Sequence, residues 1–173
     1  MARKGQKWFE VEENGQPIPA TAVEAPRGTL SGRVDEKGRL KLPAAITQFL
    51  EALGERKVFI TTLDASTALI YPISAWRETE KFLQEAGEDA DLRSDLAFVA
   101  NHYGEDVEID GQGRVLMPTT LRRDLGMEKD EVYLLVYKQR IEVFPSKVYA
   151  QRYEAARMNL DEKRKALEKK GLR

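Results

Sequence analysis

Cysteine is absent from the 173 residues, which excludes disulfides, thiolate metal sites and cysteine nucleophiles and fits a reducing cytosol. Histidine occurs once, at His102, so a multi-histidine metal centre or a Ser-His-Asp triad lacks material. That residue reads as a helix-end histidine with a local hydrogen bond. No apolar run approaches the ~20 residues that a membrane-spanning helix requires. The opening "MARKGQKWFEVEENGQ" has basic residues with no apolar stretch behind them, so no secretory leader is expected. "GRVDEKGR" holds two glycines and a lysine, but it lacks the G-x-x-x-x-G-K-[ST] spacing and precedes a strand pattern. Glu88, Asp89, Asp91 and Asp95 suit a solvated helix start, and no second group converges on them. No catalytic residue, metal ligand or cofactor is therefore expected, and an enzyme is the least supported class.

What is present is charge, and it is segregated. Lysine and arginine total 28 against 29 acidic residues, a net charge of −1 that is less basic than nucleic-acid binders usually are. Phosphate contacts depend on local clusters more than on the sum. Arg27, Arg33, Lys37, Arg39 and Lys41 crowd into one short stretch against only Asp35 and Glu36, whereas "RETEKFLQEAGEDADLRSD" is net acidic. With 42% hydrophobic residues the chain can still bury a core.

The basic stretch belongs to an internal repeat. "VDEKGRLKLPAAI" aligns with "IDGQGRVLMPTTL", so Asp35, Gly38, Arg39 and Pro43 lie over Asp110, Gly113, Arg114 and Pro118. Further on, Tyr71-Pro72 and Trp76 match Phe144-Pro145 and Tyr149, after a register slip of two residues that a loop is expected to absorb. Two units are too few for a solenoid, so a pair packed about a pseudo-two-fold is expected. Leu30, Val34, Leu40 and Leu42 alternate with Ser31, Arg33, Arg39 and Lys41, which predicts two strands of a hairpin with one apolar and one polar face. Asp35 and Gly38 shape its turn, as Asp110 and Gly113 do in the second copy. Pro43 opens a helix with Ile46, Phe49, Leu50 and Leu53 on one stripe, and Gly54 ends it.

The expected class is thus α+β: two tandem ββαββ units over 27–73 and 104–147. Two helices fill 74–103, with stripes of Trp76, Thr79, Phe82 and Leu83, then Leu92, Leu96 and Val99. One C-terminal helix covers 148–173 and frays over its last dozen residues, and 1–26 form a flexible tail.

A good turn preserved by duplication, with Arg39 merely exposed, would account for one copy. Two copies with arginine directly after the turn glycine favour a role for that arginine, because a guanidinium binds guanine edges or phosphate bidentately. A two-stranded ribbon enters a DNA major groove, and Arg39 and Lys41, with Arg33 on the paired strand, would present one basic face to it. Arg27 and Lys37 flank that face. Arg114 is a secondary contact, since Asp106, Glu108 and Leu116 make the second copy the poorer reader.

Over about residues 27–150 these motifs resemble the MraZ family of bacterial transcription regulators, whose halves are of the SpoVT–AbrB swapped-hairpin type. The resemblance implies an intramolecular pseudo-dimeric β-barrel and a homo-oligomeric ring. It also implies binding, as a repressor, to direct repeats in double-stranded DNA upstream of the division and cell-wall gene cluster. The protein would then be cytoplasmic and nucleoid-associated, with no membrane partner. The family's DNA-contacting arginine maps onto Arg39, preceded by Lys37-Gly38. The chain departs from the family in its extra segment before Arg27 and in an arginine-poor second inter-repeat helix. An antitoxin-like barrel that neutralises a protein partner is the alternative.

Overall fold

The computed structural model describes residues 23–173; most of the expected tail, residues 1–22, lies outside the described residues. The chain runs β1 (Leu30–Arg33), β2 (Arg39–Lys41), α1 (Ala44–Ala52), β3 (Lys57–Thr61), β4 (Ala68–Pro72), α2 (Ile73–Gln84) and α3 (Ala90–Tyr103). It then repeats the first five elements as β5 (Glu105–Glu108), β6 (Arg114–Leu116), α4 (Thr119–Asp124), β7 (Glu131–Tyr137) and β8 (Arg140–Pro145). Two helices close it, α5 (Ser146–Arg157) and α6 (Leu160–Glu168). The class is α+β with antiparallel pairing throughout. None of these helices is long and apolar enough to cross a membrane.

The expected hairpin is not formed as a ladder. Across the first turn the pairing is a single isolated bridge, Val34–Leu40, with Val34 just past the end of β1. Instead β1 pairs with β7 of the other repeat, and β2 pairs with β6 in a separate two-stranded ribbon. Alternation specifies which face of a strand is buried but not which strand lies beside it. The apolar positions are therefore as read, with Val34, Leu40 and Leu42 buried, while the partners are exchanged between repeats. Arg33 accordingly sits opposite Glu131, not beside Arg39.

The six-stranded sheet has the order β1-β7-β8-β4-β3-β5. Exchanging each strand for its counterpart in the other repeat turns that order into its own reverse. The ribbon obeys the same exchange: Leu42 N–H donates to the Gly113 carbonyl and Met117 N–H to the Gly38 carbonyl, both at 2.9 Å. Leu40, Val115, Leu42 and Met117 enter one core with Ile46, Leu50, Ile60, Ile70, Leu121, Leu134 and Ile141, to which both repeats contribute.

The register slip is absorbed by more than a loop. With 6 residues against 9, α4 is shorter than α1 by nearly a turn. The link into β7 is longer than the link into β3, and it passes through Lys129 at positive φ. Both helices nevertheless start after a proline N-cap and finish at a left-handed glycine, Gly54 and Gly126.

Outside the sheet the two repeats differ. Phe59 stacks on Trp76 with ring centres 4.3 Å apart, and Tyr133 stacks on Tyr149 at 4.3 Å. Helix α3 lies over only the first pair. Its buried residue is Ala100, with Ala97 half-buried beside it, whereas of the expected stripe Leu92 and Leu96 are exposed and Val99 is half-buried. Small residues let the helix approach closely enough for Thr61 Oγ1 to donate to the Ala100 carbonyl at 2.7 Å. Leu92, Leu96 and Phe98 face outward, as does Phe82, over whose ring the Arg93 guanidinium lies at 4.1 Å. The C-terminal segment is two helices instead of one, because Asn159 adopts a left-handed conformation with φ 53°. Nor do its last dozen residues fray throughout: α6 persists to Glu168, supported by ion pairs of Arg164 with Asp161 and Glu168.

A shared core predicts one cooperative unfolding event. Replacing fully buried Leu40 with alanine is expected to cost about 2–5 kcal/mol, read as a lower urea midpoint. Fluorescence and far-ultraviolet dichroism should still report a single coincident transition; two separate transitions would mean that the repeats fold independently.

Candidate nucleic-acid interface

Each turn is built around its aspartate. Asp35 Oδ1 accepts the N–H groups of Lys37 and Arg39 at 2.9 Å, and Asp35 Oδ2 accepts Arg39 Nε at 2.8 Å. Asp110 does the same for Gln112 and Arg114, with the same three distances. A carboxylate that receives backbone N–H groups and a guanidinium is stabilised as the anion. The Asp35 carboxyl is held below its ordinary value, first by the Arg39 backbone N–H. The Asp110 carboxyl is lowered to about 2, first by the backbone N–H of Arg114 and then by its side chain. Gly38 and Gly113 take φ +79° and +71° at the corner, a conformation that L side chains rarely adopt.

The bracket explains why Asp and Arg are retained together: each arginine is oriented by its own turn. Arg39 is 32% exposed at its side chain, and its Nε and Nη2 both lie 2.8 Å from Asp35 Oδ2, which leaves Nη1 unused by that contact.

The ribbon then brings the two arginines together. Its cross-strand pairs are Arg39 with Leu116, Leu40 with Val115, and Lys41 with Arg114. Leu40 and Val115 point into the core, which leaves Arg39, Lys41, Arg114 and the 51% exposed Leu116 on the outer face. Arg114 thus shares one surface with Lys41, a juxtaposition that the sequence reading missed by treating the copies as separate hairpins. Lys37 is exposed on the first turn. Arg33 lies on the six-stranded sheet, and Arg27 is paired with Glu24 at 3.1 Å on the approach to β1; neither belongs to the ribbon.

A further arginine was overlooked. Arg122 of α4 reaches across to the first turn and packs against Gly38. The signal was available in the drift between copies, since "TTLRRD" carries Arg122 and Arg123 where "AAITQF" carries Thr47 and Gln48. The first turn therefore gathers Lys37, Arg39 and Arg122. At the second, Gln112 lines a cavity of about 1140 Å³ together with Thr47, Gln48 and Glu51. Among the described residues no group of three or more His, Cys, Asp or Glu is placed to hold a metal ion.

The arrangement defines an α+β protein that presents a cationic ribbon assembled from two repeats. The chain belongs to the MraZ family. The family model for the MraZ protein, whose description adds a suggested antitoxin likeness, matches residues 104–170. The transcriptional regulator MraZ of Acidobacterium capsulatum is 37% identical in an alignment of 130 positions that covers 69% of this chain and 89% of the relative. Its namesakes in Koribacter versatilis and Acetivibrio thermocellus are each 36% identical over 118 residues, covering 68% of this chain and 80% and 78% of theirs.

The turn carboxylates make a pH signature. A depressed folded value means that Asp110 contributes stability above its ordinary 3.8 and loses that contribution as pH falls toward about 2. Urea midpoints of the wild type and Asp110→Asn should therefore differ most above about pH 4 and converge near pH 2. Equal midpoints across this range would show that the bracket does not stabilise the fold.

Proposed function

We propose that the protein regulates transcription by binding double-stranded DNA through the outer face of the β2–β6 ribbon. The observation that carries this reading is the convergence of Arg39, Lys41 and Arg114 on one side of that ribbon, with both arginines aimed by aspartates. A B-DNA major groove about 12 Å wide admits a two-stranded ribbon, and arginine is the preferred donor to guanine O6 and N7. Leu116 beside Arg39 offers an apolar contact for a thymine methyl. The name borne by the relatives, transcriptional regulator, supports the regulatory role.

The finer picture follows the family resemblance. Two AbrB-type units close into a pseudo-dimeric barrel, a reading supported by the self-reversing strand order and the reciprocal ribbon bonds. Few basic contacts per subunit give weak binding, with non-specific dissociation constants on the order of 10⁻⁴–10⁻⁶ M. Several subunits in a ring, each on one copy of a promoter direct repeat, raise the effective affinity without new contacts. Repression of a division and cell-wall gene cluster, from a cytoplasmic and nucleoid-associated pool, is the corresponding biological role. The antitoxin likeness in the family description favours one further reading, neutralisation of a protein partner by the exposed C-terminal helices. A stoichiometric protein co-purifying with the full chain, and lost on removal of α6, would establish it.

Fluorescence anisotropy with a duplex from upstream of the gene tests the DNA reading. Arg39→Ala is expected to weaken binding by about 1–3 kcal/mol and to relax sequence preference. Lys41→Ala should weaken all duplexes alike and lower the salt slope by about 1. Arg114→Ala should also weaken binding, because it shares the face. Wild-type affinity in all three variants would exclude the ribbon as the interface.

A further inference from the structure

We infer that Arg122 is a positioning residue for the DNA-reading turn of the opposite repeat, an inference that rests on the ribbon reading above. The two turns share Asp, Gly and Arg and the same aspartate bonds; Lys37 stands where the other has Gln112, and they differ in what lies against the corner glycine. At Gly38 the Arg122 guanidinium occupies the place of a side chain: an ideal Cβ there would lie 1.7 Å from Nη1 and 2.3 Å from Cζ. At Gly113 the nearest atoms to such a Cβ are Thr47 Oγ1 at 3.1 Å and Lys41 Nζ at 3.4 Å.

The guanidinium is itself fixed. Arg122 Nη1 donates to the Met117 carbonyl at 3.1 Å, Nε donates to Glu128 Oε1 at 3.1 Å, and the side chain is only 16% exposed. Met117 N–H in turn donates to the Gly38 carbonyl at 2.9 Å. A closed circuit results: the Gly38 carbonyl is held by Met117, Met117 holds Arg122, and Arg122 packs flat on Gly38. A planar fork with several donors can complete this circuit, whereas an ammonium cannot fill the same slot and make both bonds.

The counterpart of Arg122 in the first repeat is Thr47, whose hydroxyl reaches only its own helix at the Pro43 carbonyl, 3.4 Å away. The second turn is thus held by the ribbon bond and its aspartate without a guanidinium. Only the first turn, with Lys37 and Arg39, has a guanidinium of the other repeat fixed against its corner, so it is the more firmly ordered of the two before DNA arrives. Pre-organisation of this kind strengthens binding by lowering the ordering cost of association. Because Arg122 is mostly covered, it acts through the turn and not on phosphate.

The test uses the full chain, a duplex from upstream of the gene, a scrambled duplex of equal length, a salt series and thermal melts. Arg122→Thr, the natural residue of the other repeat, and Arg122→Lys are both expected to bind the upstream duplex about tenfold more weakly. Both should narrow the preference over the scrambled duplex while keeping the wild-type salt slope. Should Arg122→Thr fail to fold, Arg122→Lys decides the same question, since it retains the charge and removes the fork. A lowered melting temperature with wild-type preference in folded protein means a purely structural brace and overturns the inference. So does full rescue by Arg122→Lys, or a salt slope reduced by about one unit in Arg122→Thr, which marks a phosphate contact. Arg39→Ala separates the two levels. Unchanged binding there removes the ribbon reading and this inference with it; weakened binding there, with both Arg122 variants at wild-type affinity, removes this inference alone.

Discussion

The pairing of β2 with β6 is the constraint on which the rest of the structure depends. Each strand has only three residues, too few to persist alone. Each is supported by the other and by the reciprocal bonds at Gly38 and Gly113. Burial of Leu40 and Val115 beneath the ribbon then ties α1 and α4 to the inner face of the six-stranded sheet. Because β1 and β5 are handed to the opposite repeat as well, neither repeat completes a core by itself. The cationic surface follows from the same pairing, since no single repeat contains Arg39, Lys41 and Arg114 side by side.

Within this frame the aspartate of each turn has two tasks at once. One oxygen closes the backbone turn and the other orients the arginine. An exposed ion pair contributes little to stability on its own, so the bracket matters more for the direction in which it points the guanidinium. The asymmetry of the surface comes from elsewhere, from Lys37 on the first turn and Arg122 brought against it by α4. Arg122, distant in the sequence, is thus added to the already basic first turn by the exchange of strands.

The elements were legible in the sequence where periodicity was strong. The runs "EVYLLVY" and "RIEVFP" coincide with β7 and β8, and the proline starts and glycine ends of α1 and α4 are as read. Partners were not legible, because period-two alternation is the same whichever neighbour a strand takes, and so Arg33 was placed on the wrong ladder. The buried stripe of α3 was missed for a different reason: large apolar residues mark burial only where there is room, and close contact with Phe59 and Thr61 selects alanine instead. Arg122 escaped notice because its role lies in a contact between repeats, which no single-repeat pattern records. The break at Asn159 was hidden because asparagine is neutral as a helix residue and distinctive only through its tolerance of the left-handed conformation.

Fusing the two repeats in one chain also changes what each position is free to become. Two separate identical copies would pair position 41 of one with position 39 of the other on both sides of the ribbon, and any substitution would appear twice. Here Lys41 faces Arg114, while Arg39 faces Leu116, so one side of the ribbon carries two cations and the other only one. Covalent linkage replaces an association that depends on protein concentration with one made within the chain. The ribbon is therefore formed within one molecule, and its two strands present different side chains as halves of a single surface.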